Sequence, residues 1–276
     1  MRLNDVASAR TLLFVPGHRP DRFAKAAAAG ADGVVLDLED AVAAEDKDTA
    51  REHVRTWLAE GNQAVVRVNA ADTEHHDADL AALGGLATVV MLPKAEHARD
   101  VTAAAAVLGS GTGVVPLIET ADGVLRAREI CAAPAAVRPA FGSIDLAAQL
   151  GVDPDSHTAL ATARSTLVLA AAGAGCAPPL DGVTAAIGDE ARLVADTEHA
   201  VALGFTGKLC VHPRQVAAVH AALEPSADEL RWARGVLAVA TTDGAVGVFE
   251  STMVDRPVVL RAERLLSRAG LSGAPA

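Results

Sequence analysis

The sequence predicts a (β/α)₈ barrel of the TIM type, followed by a helical or irregular C-terminal extension. Eight short apolar runs, rich in β-branched residues, alternate with longer alanine-rich runs over about 210 residues. Near-continuous apolar strands of this kind suit a parallel sheet that is covered on both faces. A doubly wound sheet is the alternative, but its nucleotide fingerprint is missing, because Gly109-Ser-Gly-Thr-Gly113 leads into a strand instead of from a strand into a helix.

The elements follow one another in a regular order. Strands are predicted at residues 11–15, 33–38, 64–68, 88–92, 113–118, 138–144, 179–183 and 207–211. Helices are predicted between them near residues 20–29, 47–60, 74–83, 96–108, 123–132, 158–172 and 189–203. Ser226 then caps a further helix that begins after Pro225. We therefore expect a barrel domain over residues 1–224 and an extension over residues 225–276.

Composition excludes several classes of protein. The chain of 276 residues is 51% hydrophobic and 21% charged, so it can bury a large core and is not intrinsically disordered. The net charge of −11 and the 3% of aromatic residues, without tyrosine, argue against nucleic-acid binding. Cys131, Cys176 and Cys210 form no CxxC pair, so no disulfide framework or thiolate zinc site is expected. Neither a signal peptide nor a membrane span is predicted, which favours the cytoplasm.

Polar side chains close many of the predicted strands. In a barrel of this type the active site lies at the C-terminal ends of the strands, so these side chains are expected to converge. Acids and bases are costly to bury unless they are paired, so their repetition at one rim is hard to explain by packing alone. The set comprises Gly17 to Arg19, Asp37, Glu39, Asp40, Arg67, Asn69, Lys94, Glu119, Thr120, Ser143, Asp145, Asp181, Lys208 and His212.

Two carboxylates of this rim are candidates for a metal site. Glu119 and Asp145 end adjacent predicted strands, and hard oxygen ligands without nearby histidine or cysteine favour Mg²⁺, with Mn²⁺ as a second choice. The alternative is that each acid caps the helix that follows it. Arg67 can hold a substrate carboxylate with its planar fork, or it can form an ion pair with Glu39 or Asp40.

Other polar residues carry weaker signals. Lys94 and Lys208 either contact anionic groups or pair with acids across the rim, and neither is assigned a Schiff-base role. The adjacent His75 and His76 face different sides of a helix, so a solvated helix start is favoured over a metal cluster. His18, at the end of the first predicted strand, either touches substrate or belongs to a surface turn, and it is assigned no role.

Ten short blocks of the sequence follow one another along the predicted barrel. They are Leu13-Phe-Val-Pro-Gly17, Arg19-Pro-Asp-Arg22, Val35-Leu-Asp-Leu-Glu-Asp40, Val66-Arg-Val-Asn69, Met91-Leu-Pro-Lys94, Leu117-Ile-Glu-Thr120, Phe141-Gly-Ser-Ile-Asp-Leu146, Asp181-Gly-Val183, Gly204-Phe-Thr-Gly-Lys208 and His212-Pro-Arg-Gln215. Together these blocks resemble the CitE-like branch of the HpcH/HpaI aldolase and citrate lyase family, and the resemblance covers residues 10–261. One departure is Ile144, which stands where many CitE-like chains carry a glutamate.

The resemblance implies a chemistry and a set of site residues. Such enzymes cleave or form the carbon–carbon bond between an acyl-CoA and a 2-oxo acid, as with malyl-CoA or citramalyl-CoA, and Mg²⁺ would be held by Glu119 and Asp145. Arg67 would act in catalysis and grip the oxo-acid carboxylate. Substrate contacts are also expected from Arg22, Glu39, Asp40 and Lys94.

The tail block Met253-Val-Asp-Arg-Pro257 is similar to one in malyl-CoA and citramalyl-CoA lyases, in which the aspartate reaches a neighbouring subunit's active site. Asp255 is then a catalytic acid or base, and the extension implies a homo-oligomer, trimeric or hexameric. The alternative for Asp255 is that it caps the helix that begins at Pro257. Two other functions stay open: a metal-dependent aldolase that acts on free 2-oxo acids without CoA, and a citrate-lyase β-type subunit that acts only within a complex.

Overall fold

Eight parallel strands close a barrel in chain order, with β1 paired to β8, as the sequence predicts. The computed structural model describes residues 2–240 and 247–271, and residues 241–246 and 272–276 of the predicted extension lie outside this range. The barrel strands are β1 (Thr11–Pro16), β2 (Gly33–Asp37), β3 (Val65–Arg67), β4 (Val89–Leu92), β5 (Gly113–Ile118), β6 (Ala140–Phe141), β7 (Leu180–Asp181) and β8 (Gly207–Cys210).

Helices connect the strands and follow the barrel. They are α1 (Leu3–Ser8), α2 (Phe23–Ala27), α3 (Lys47–Ala59), α4 (His76–Leu83), α5 (Ala98–Leu108), α6 (Ala121–Leu125), α7 (Ala127–Cys131), α8 (Ser143–Leu150), α9 (His157–Ala174), α10 (Glu190–Leu203), α11 (Arg214–Leu223), α12 (Ala227–Val239) and α13 (Arg256–Arg268). Short 3₁₀ turns cover Pro20–Arg22 and Ala44–Asp46. None of the described helices combines the length and the apolar character that crossing a membrane requires.

The prediction of a strand over residues 138–144 is wrong in its second half. The strand ends at Phe141, and α8 begins at Ser143 after Gly142. Serine and aspartate favour the first turn of a helix, and Ser143 and Asp145 both lie there. The strand end and the helix start therefore lie side by side at the rim of the barrel.

The inside of the barrel is apolar, and its lower end is closed by a buried arginine. Side chains of Leu12, Val35, Val89, Val115 and Leu180 belong to one buried cluster. Below them lies Arg138, which is fully buried. Its guanidinium donates hydrogen bonds to the carbonyls of Val6, Ala9 and Pro178 and to the hydroxyl of Thr206, over 2.7–3.2 Å. Burial lowers the pKa of Arg138 to about 10. Arg138 thus ties α1 to the segments that precede β7 and β8.

The chain divides into two compact units, residues 1–220 and residues 221–276. In the second unit, α12 and α13 pack with a hairpin of β9 (Gly247–Phe249) and β10 (Thr252–Val254). Ser226 caps α12 by accepting a hydrogen bond from Glu229 N, which confirms that part of the prediction. The hairpin turn places Glu250 and Ser251 at φ of 46° and 62°, the left-handed values that a tight two-residue turn requires.

Candidate active site

Three of the predicted site residues line one cavity at the C-terminal rim of the barrel. Arg67 ends β3, Glu119 follows β5, and Asp145 lies in the first turn of α8. The cavity has a volume of about 70 Å³. Its remaining walls are Phe14, Leu117, Phe141, Gly142, Ser143, Ile144, Val183 and Leu209. An arginine, two carboxylates and the hydroxyl of Ser143 therefore face a chamber whose other side chains are apolar.

Glu119 is held at the wall of this cavity by the backbone. The residue is 2% exposed, and its Oε1 accepts a hydrogen bond of 2.8 Å from Lys94 N. Capping of α6 falls instead to Thr120, whose hydroxyl accepts from Gly123 N. Burial, together with the carboxylates of Glu39 and Asp145, raises the pKa of Glu119 to about 8, against the opposing effect of Lys94 N–H and Arg67.

The absence of a side chain at Gly142 leaves room for the side chain of Glu119. A Cβ at position 142 would lie 2.3 Å from Glu119 Oε2 and 2.4 Å from Glu119 Cβ, which is closer than real contacts allow. Any larger residue at this position would therefore displace the Glu119 side chain. The family-like block around Phe141 needs a glycine here for steric reasons.

Asp145 and Ser143 present unpartnered polar groups from the start of α8. Asp145 is half-buried, and nothing in residues 2–240 or 247–271 donates a hydrogen bond or forms an ion pair with its carboxylate. Ser143 is 3% exposed, and its hydroxyl likewise has no hydrogen-bond partner among the described side chains and backbone groups. No side chain caps the N-terminus of α8 at Gly142.

This donor set fits a hard divalent cation. Glu119 and Asp145 offer carboxylate oxygens. They form a pair, since the described part of the chain holds no group of three or more His, Cys, Asp or Glu that could bind a metal ion. Mg²⁺ is commonly held by one or two carboxylates and completes its shell with water and substrate oxygens. A cation between the two acids would also offset the like-charge repulsion that raises the pKa of Glu119.

Arg67 is fixed by two carboxylates and a ring. Its Nε and Nη2 donate to the two oxygens of Asp37 over 2.7 Å and 2.6 Å, and its Nη1 lies 2.8 Å from Glu39 Oε2. The guanidinium also lies over the Phe14 ring, 4.9 Å from its centroid. Burial alone would lower the pKa of Arg67, but Asp37 and Glu39 outweigh it and raise the pKa above its ordinary value. The ion pair with Glu39 that the sequence offered as an alternative is present.

Glu39 and Lys94 form the next contact outward. Lys94 Nζ lies 2.9 Å from Glu39 Oε1, which answers the question of whether this lysine pairs with an acid. Burial raises the pKa of Glu39 despite Arg67 and Lys94. Asp40 is exposed, and no described residue donates a hydrogen bond to its side chain.

Two supports of the site were missed by sequence reasoning. Asp37 was part of the predicted rim, but its two-point grip on Arg67 was not predicted. Lys47, at the start of α3, donates to the carbonyls of Leu38 and Glu39 and to Asn69 Oδ1 over 2.6–2.7 Å, which fixes the loop after β2. The only signal for Lys47 is a lysine in the first turn of a helix, which is ordinary.

A second charged cluster lies behind the cavity wall. Asp181 is fully buried, and it accepts from Arg164 Nε over 2.8 Å and from Lys208 Nζ over 3.1 Å. Lys208 Nζ also donates to the carbonyl of Gly182, and Arg164 lies over the Phe141 ring. Lys208 is therefore paired with an acid and is not free to act as a nucleophile.

Two further predicted site residues belong to other elements of the chain. Arg22 is exposed on the 3₁₀ turn that follows β1 and does not line the cavity. Asp255 belongs to the second unit, where it caps α13 by accepting from Val258 N over 3.3 Å. The capping role that the sequence offered as an alternative is thus present.

The prediction that His75 and His76 lie at a solvated helix start is wrong for His76, the first residue of α4. This residue is buried, and its Nδ1 lies 2.8 Å from the carbonyl of Asn69, because the first turn of α4 packs against the loop after β3.

Comparison with known proteins relates the chain to one family over most of its length. The family model described as HpcH/HpaI aldolase/citrate lyase matches residues 10–213. A citrate lyase subunit beta-like protein of Mycobacterium tuberculosis is 43% identical over 265 residues, covering 94% of each chain. Citrate lyase subunit beta of Escherichia coli is 35% identical, covering 96% of this chain and 94% of the relative. A (3S)-malyl-CoA thioesterase of Cereibacter sphaeroides is also 35% identical, covering 94% of each.

Solved structures show the same fold. The crystal structure of CitE from M. tuberculosis in complex with magnesium, acetoacetate and coenzyme A superposes with a TM-score of 0.84 at 41% identity, covering 96% of this chain and 99% of that one. A structure of the citrate lyase beta subunit from the same organism, with oxaloacetate and magnesium, superposes with a TM-score of 0.72 at 40% identity and covers 80% of this chain.

Proposed function

The chain belongs to the HpcH/HpaI aldolase/citrate lyase family and is a lyase, and on that premise we propose that it cleaves or forms a 3-hydroxyacyl-CoA with the help of Mg²⁺. The products of cleavage are an acyl-CoA and a 2-oxo acid, as for malyl-CoA or citramalyl-CoA. The observation that carries the proposal is the cavity that brings Arg67, Glu119 and Asp145 together.

Glu119 and Asp145 would hold the Mg²⁺, with Mn²⁺ as a possible substitute. A divalent cation supplies Lewis-acid polarisation of the hydroxyl and carboxylate oxygens next to the bond that breaks. Two M. tuberculosis relatives support magnesium as the cation, since the CitE structure contains magnesium with coenzyme A and the citrate lyase beta subunit structure contains magnesium with oxaloacetate.

The carboxylate of the oxo acid is proposed to lie at the start of α8. The first N–H groups of a helix are positive and unsatisfied, and α8 has no side-chain cap. The free hydroxyl of Ser143 and the guanidinium of Arg67 line the same cavity and add two donors. Together these groups recognise a carboxylate, and the apolar walls leave room for only a small substituent.

Cleavage breaks the bond between the carbon that bears the hydroxyl and the carbon next to the thioester. The hydroxyl proton passes to solvent water, the C–O bond becomes the carbonyl of the oxo acid, and the electron pair of the broken C–C bond stays on the thioester fragment as an enolate. Arg67 is the proposed cation for the enolate oxygen, with Arg22 as a second candidate. Glu39 and Lys94 keep Arg67 in place, and Asp40 adds its charge to the same rim.

Asp255 is the proposed proton donor to the enolate, and in the condensing direction it removes the acetyl proton. Its tail block is similar to one whose aspartate reaches a neighbouring subunit's active site in malyl-CoA and citramalyl-CoA lyases. On that similarity we propose a homo-oligomer in which residues 225–276 complete the site of another copy. The enzyme is expected to act in the cytoplasm.

A citrate-lyase β-type subunit is the second candidate function, favoured by the 35% identity to the E. coli subunit over 96% of the chain. Such a subunit would work only with partner chains. The Asp255 block favours a lyase that acts alone, because that block is similar to the stand-alone lyases.

The test is release of 2-oxo acid from malyl-CoA and citramalyl-CoA by the purified chain with Mg²⁺, with and without EDTA. We expect chelator-sensitive cleavage that Glu119→Gln abolishes and that Glu198→Gln, on the exposed side of α10, leaves intact. Silence of the folded, metal-loaded wild type with both thioesters contradicts the proposal. Activity on a free 4-hydroxy-2-oxo acid would then identify a CoA-independent aldolase, and activity only with citrate-lyase partner chains would identify a subunit.

A further inference from the structure

Lys94 combines two contacts to the acids of the site with an unusual backbone. Its φ is 47°, in the left-handed region that favours glycine. Its backbone N–H donates to Glu119 Oε1 over 2.8 Å, and its ammonium lies 2.9 Å from Glu39 Oε1. One residue therefore touches two different carboxylates through two different groups.

We propose that Lys94 is a positioning residue with two separable roles. Its left-handed backbone aims the N–H at the proposed metal ligand Glu119, and its ammonium balances Glu39 so that Arg67 keeps its positive charge for the substrate. This inference rests on the proposed function of the site. It assigns metal affinity to the backbone conformation and anion affinity to the side chain.

The backbone role follows from the strand geometry. The chain leaves β4 at Leu92, and Lys94 turns back so that its N–H points toward the end of β5, where Glu119 lies. A non-glycine residue adopts positive φ only when the surroundings enforce it. The hydrogen bond to a buried carboxylate is the contact that this conformation makes possible.

The side-chain role follows from the chain of contacts that leads to the cavity. Glu39 lies between two cations, with Oε1 on Lys94 and Oε2 on Arg67 Nη1. Without Lys94, Arg67 would be the cation that neutralises both Asp37 and Glu39. Its single positive charge would then be outweighed by two negative charges, and it would attract an anionic substrate less.

The summed charge of eight of the acids and bases described above supports the same role. Counted as ionised, the acids outnumber the bases by two, a difference that one divalent cation balances. The acids are Asp37, Glu39, Asp40, Glu119 and Asp145, and the bases are Lys47, Arg67 and Lys94. Loss of the Lys94 ammonium leaves a net negative rim that repels an anionic substrate even when the metal is bound.

Variants at position 94 separate the two roles. Lys94→Gly and Lys94→Asn keep a residue that accepts positive φ but remove the ammonium. Lys94→Val removes the ammonium and also disfavours the left-handed backbone. Lys94→Arg keeps a cation. Glu250→Val is the matched control, because Glu250 has φ of 46° in the β9–β10 turn of the second unit.

The measurement is calorimetric titration of each variant with Mg²⁺, and then with pyruvate in the presence of saturating Mg²⁺. We expect the Kd for Mg²⁺ to stay within threefold of the wild type for Lys94→Gly, Lys94→Asn and Glu250→Val, and to rise at least tenfold for Lys94→Val. We expect the Kd for pyruvate to rise at least tenfold for Lys94→Gly and Lys94→Asn, and to return to within threefold of the wild type for Lys94→Arg.

Results that differ from these expectations overturn either the backbone role or the side-chain role of Lys94. Wild-type affinity of Lys94→Val for Mg²⁺ refutes the backbone role, and wild-type affinity of Lys94→Gly for pyruvate refutes the side-chain role. If Lys94→Val does not fold, as judged by its circular dichroism, Lys94→Ala takes its place with the same expectation. Failure of the wild-type protein to bind Mg²⁺ refutes the proposed metal site itself, which distinguishes that failure from failure of the Lys94 inference.

Discussion

The buried cluster of Arg164, Asp181 and Lys208 allows a quantitative prediction for the substitution Asp181→Asn. Asp181 is fully buried and makes charge-assisted hydrogen bonds of 2.8 Å and 3.1 Å to the two cations. Asparagine keeps the shape but removes the negative charge that both cations contact. Two buried cations would then share one amide oxygen.

The magnitude follows from the cost of a buried charge without a partner. Removing one partner of a buried pair typically costs about 3–5 kcal/mol. Lys208 limits the loss of stability, because it can release its proton instead of staying buried as an unpaired charge. Lowering the pKa of a lysine from about 10.4 to below 7 costs about 4.6 kcal/mol at pH 7, at about 1.36 kcal/mol per unit. We therefore expect a loss of about 3–5 kcal/mol, equivalent to a fall of roughly 10 °C in Tm for a unit of this size.

The pH dependence has a definite sign. Burial alone would raise the pKa of Asp181, but Lys208 and Arg164 outweigh it and hold the pKa below its usual range. In the wild type, the contribution of ionised Asp181 to folding stability is therefore complete above the pKa of an aspartate in the unfolded chain, about 3.9. It is lost as the pH falls through the lower pKa that Asp181 has in the folded protein. In Asp181→Asn, a deprotonated Lys208 would make the unfolded state bind more protons. The stability of the variant would then rise from pH 7 to pH 9, by up to about 1.4 kcal/mol per unit.

The assay is urea unfolding followed by the fluorescence of Trp57, which lies in α3 of the first unit, in a Trp232→Phe background. The matched variant Asp181→Asn/Lys208→Met lacks the unpaired lysine, and we expect it to recover at least about 1 kcal/mol relative to Asp181→Asn. A loss below about 0.5 kcal/mol in Asp181→Asn, with no slope between pH 7 and pH 9, would refute the reasoning that this cluster is a buried, charge-paired support of the cavity wall.

The other predictions concern the metal, the cavity and the tail. Glu119→Gln and Asp145→Asn are each expected to weaken Mg²⁺ binding at least tenfold in calorimetry, and wild-type affinity in either would remove that residue from the ligand set. Gly142→Ala is expected to weaken Mg²⁺ binding in the same way without replacing a ligand residue, since its Cβ would lie 2.3 Å from Glu119 Oε2 and displace that side chain; a crystal structure with Glu119 undisplaced would contradict this. Asp255→Ser keeps a good helix cap, so it should preserve Tm while abolishing turnover, whereas Asp255→Ala should also lose about 1 kcal/mol of stability; full turnover in Asp255→Ser would leave capping as its only role. Arg138→Met leaves the carbonyls of Ala9 and Pro178 without a donor, so the midpoint of urea unfolding should fall by an amount equivalent to several kcal/mol, and an unchanged midpoint would show that water replaces the guanidinium.

The pattern of apolar residues was sufficient to predict the bounds of the first five strands, and it failed for the two-residue strands β6 and β7. The predicted bounds for β1 to β5 agree with the structure within one residue at each end, because each is a run of apolar residues buried on both faces. β6 and β7 contain only two residues each. There the backbone conformation of Gly142 and the start of α8 decide the structure, and neither produces a periodic pattern.

The polar rim was predictable as a set, but the partners within it were not. That Glu119 and Asp145 would meet follows from the topology of a parallel barrel, in which neighbouring strand ends share one rim. The hydrogen bonds of Arg67 to Asp37, and of Lys47 to the loop after β2, depend on side-chain direction and loop path. No spacing rule in the sequence encodes those distances.

Closure of the barrel has a consequence for synthesis of the chain. Thr11 of β1 pairs with Lys208 of β8, so the first strand has no neighbour on that side until about 200 residues have been made. At typical translation rates of about 5–20 residues per second, this leaves an open, apolar sheet edge for roughly 10–40 s. Such an edge is a template for pairing with other nascent chains. Yield on overexpression should therefore depend on slow initiation or on a chaperone that shields the growing sheet, more than on the stability of the finished barrel.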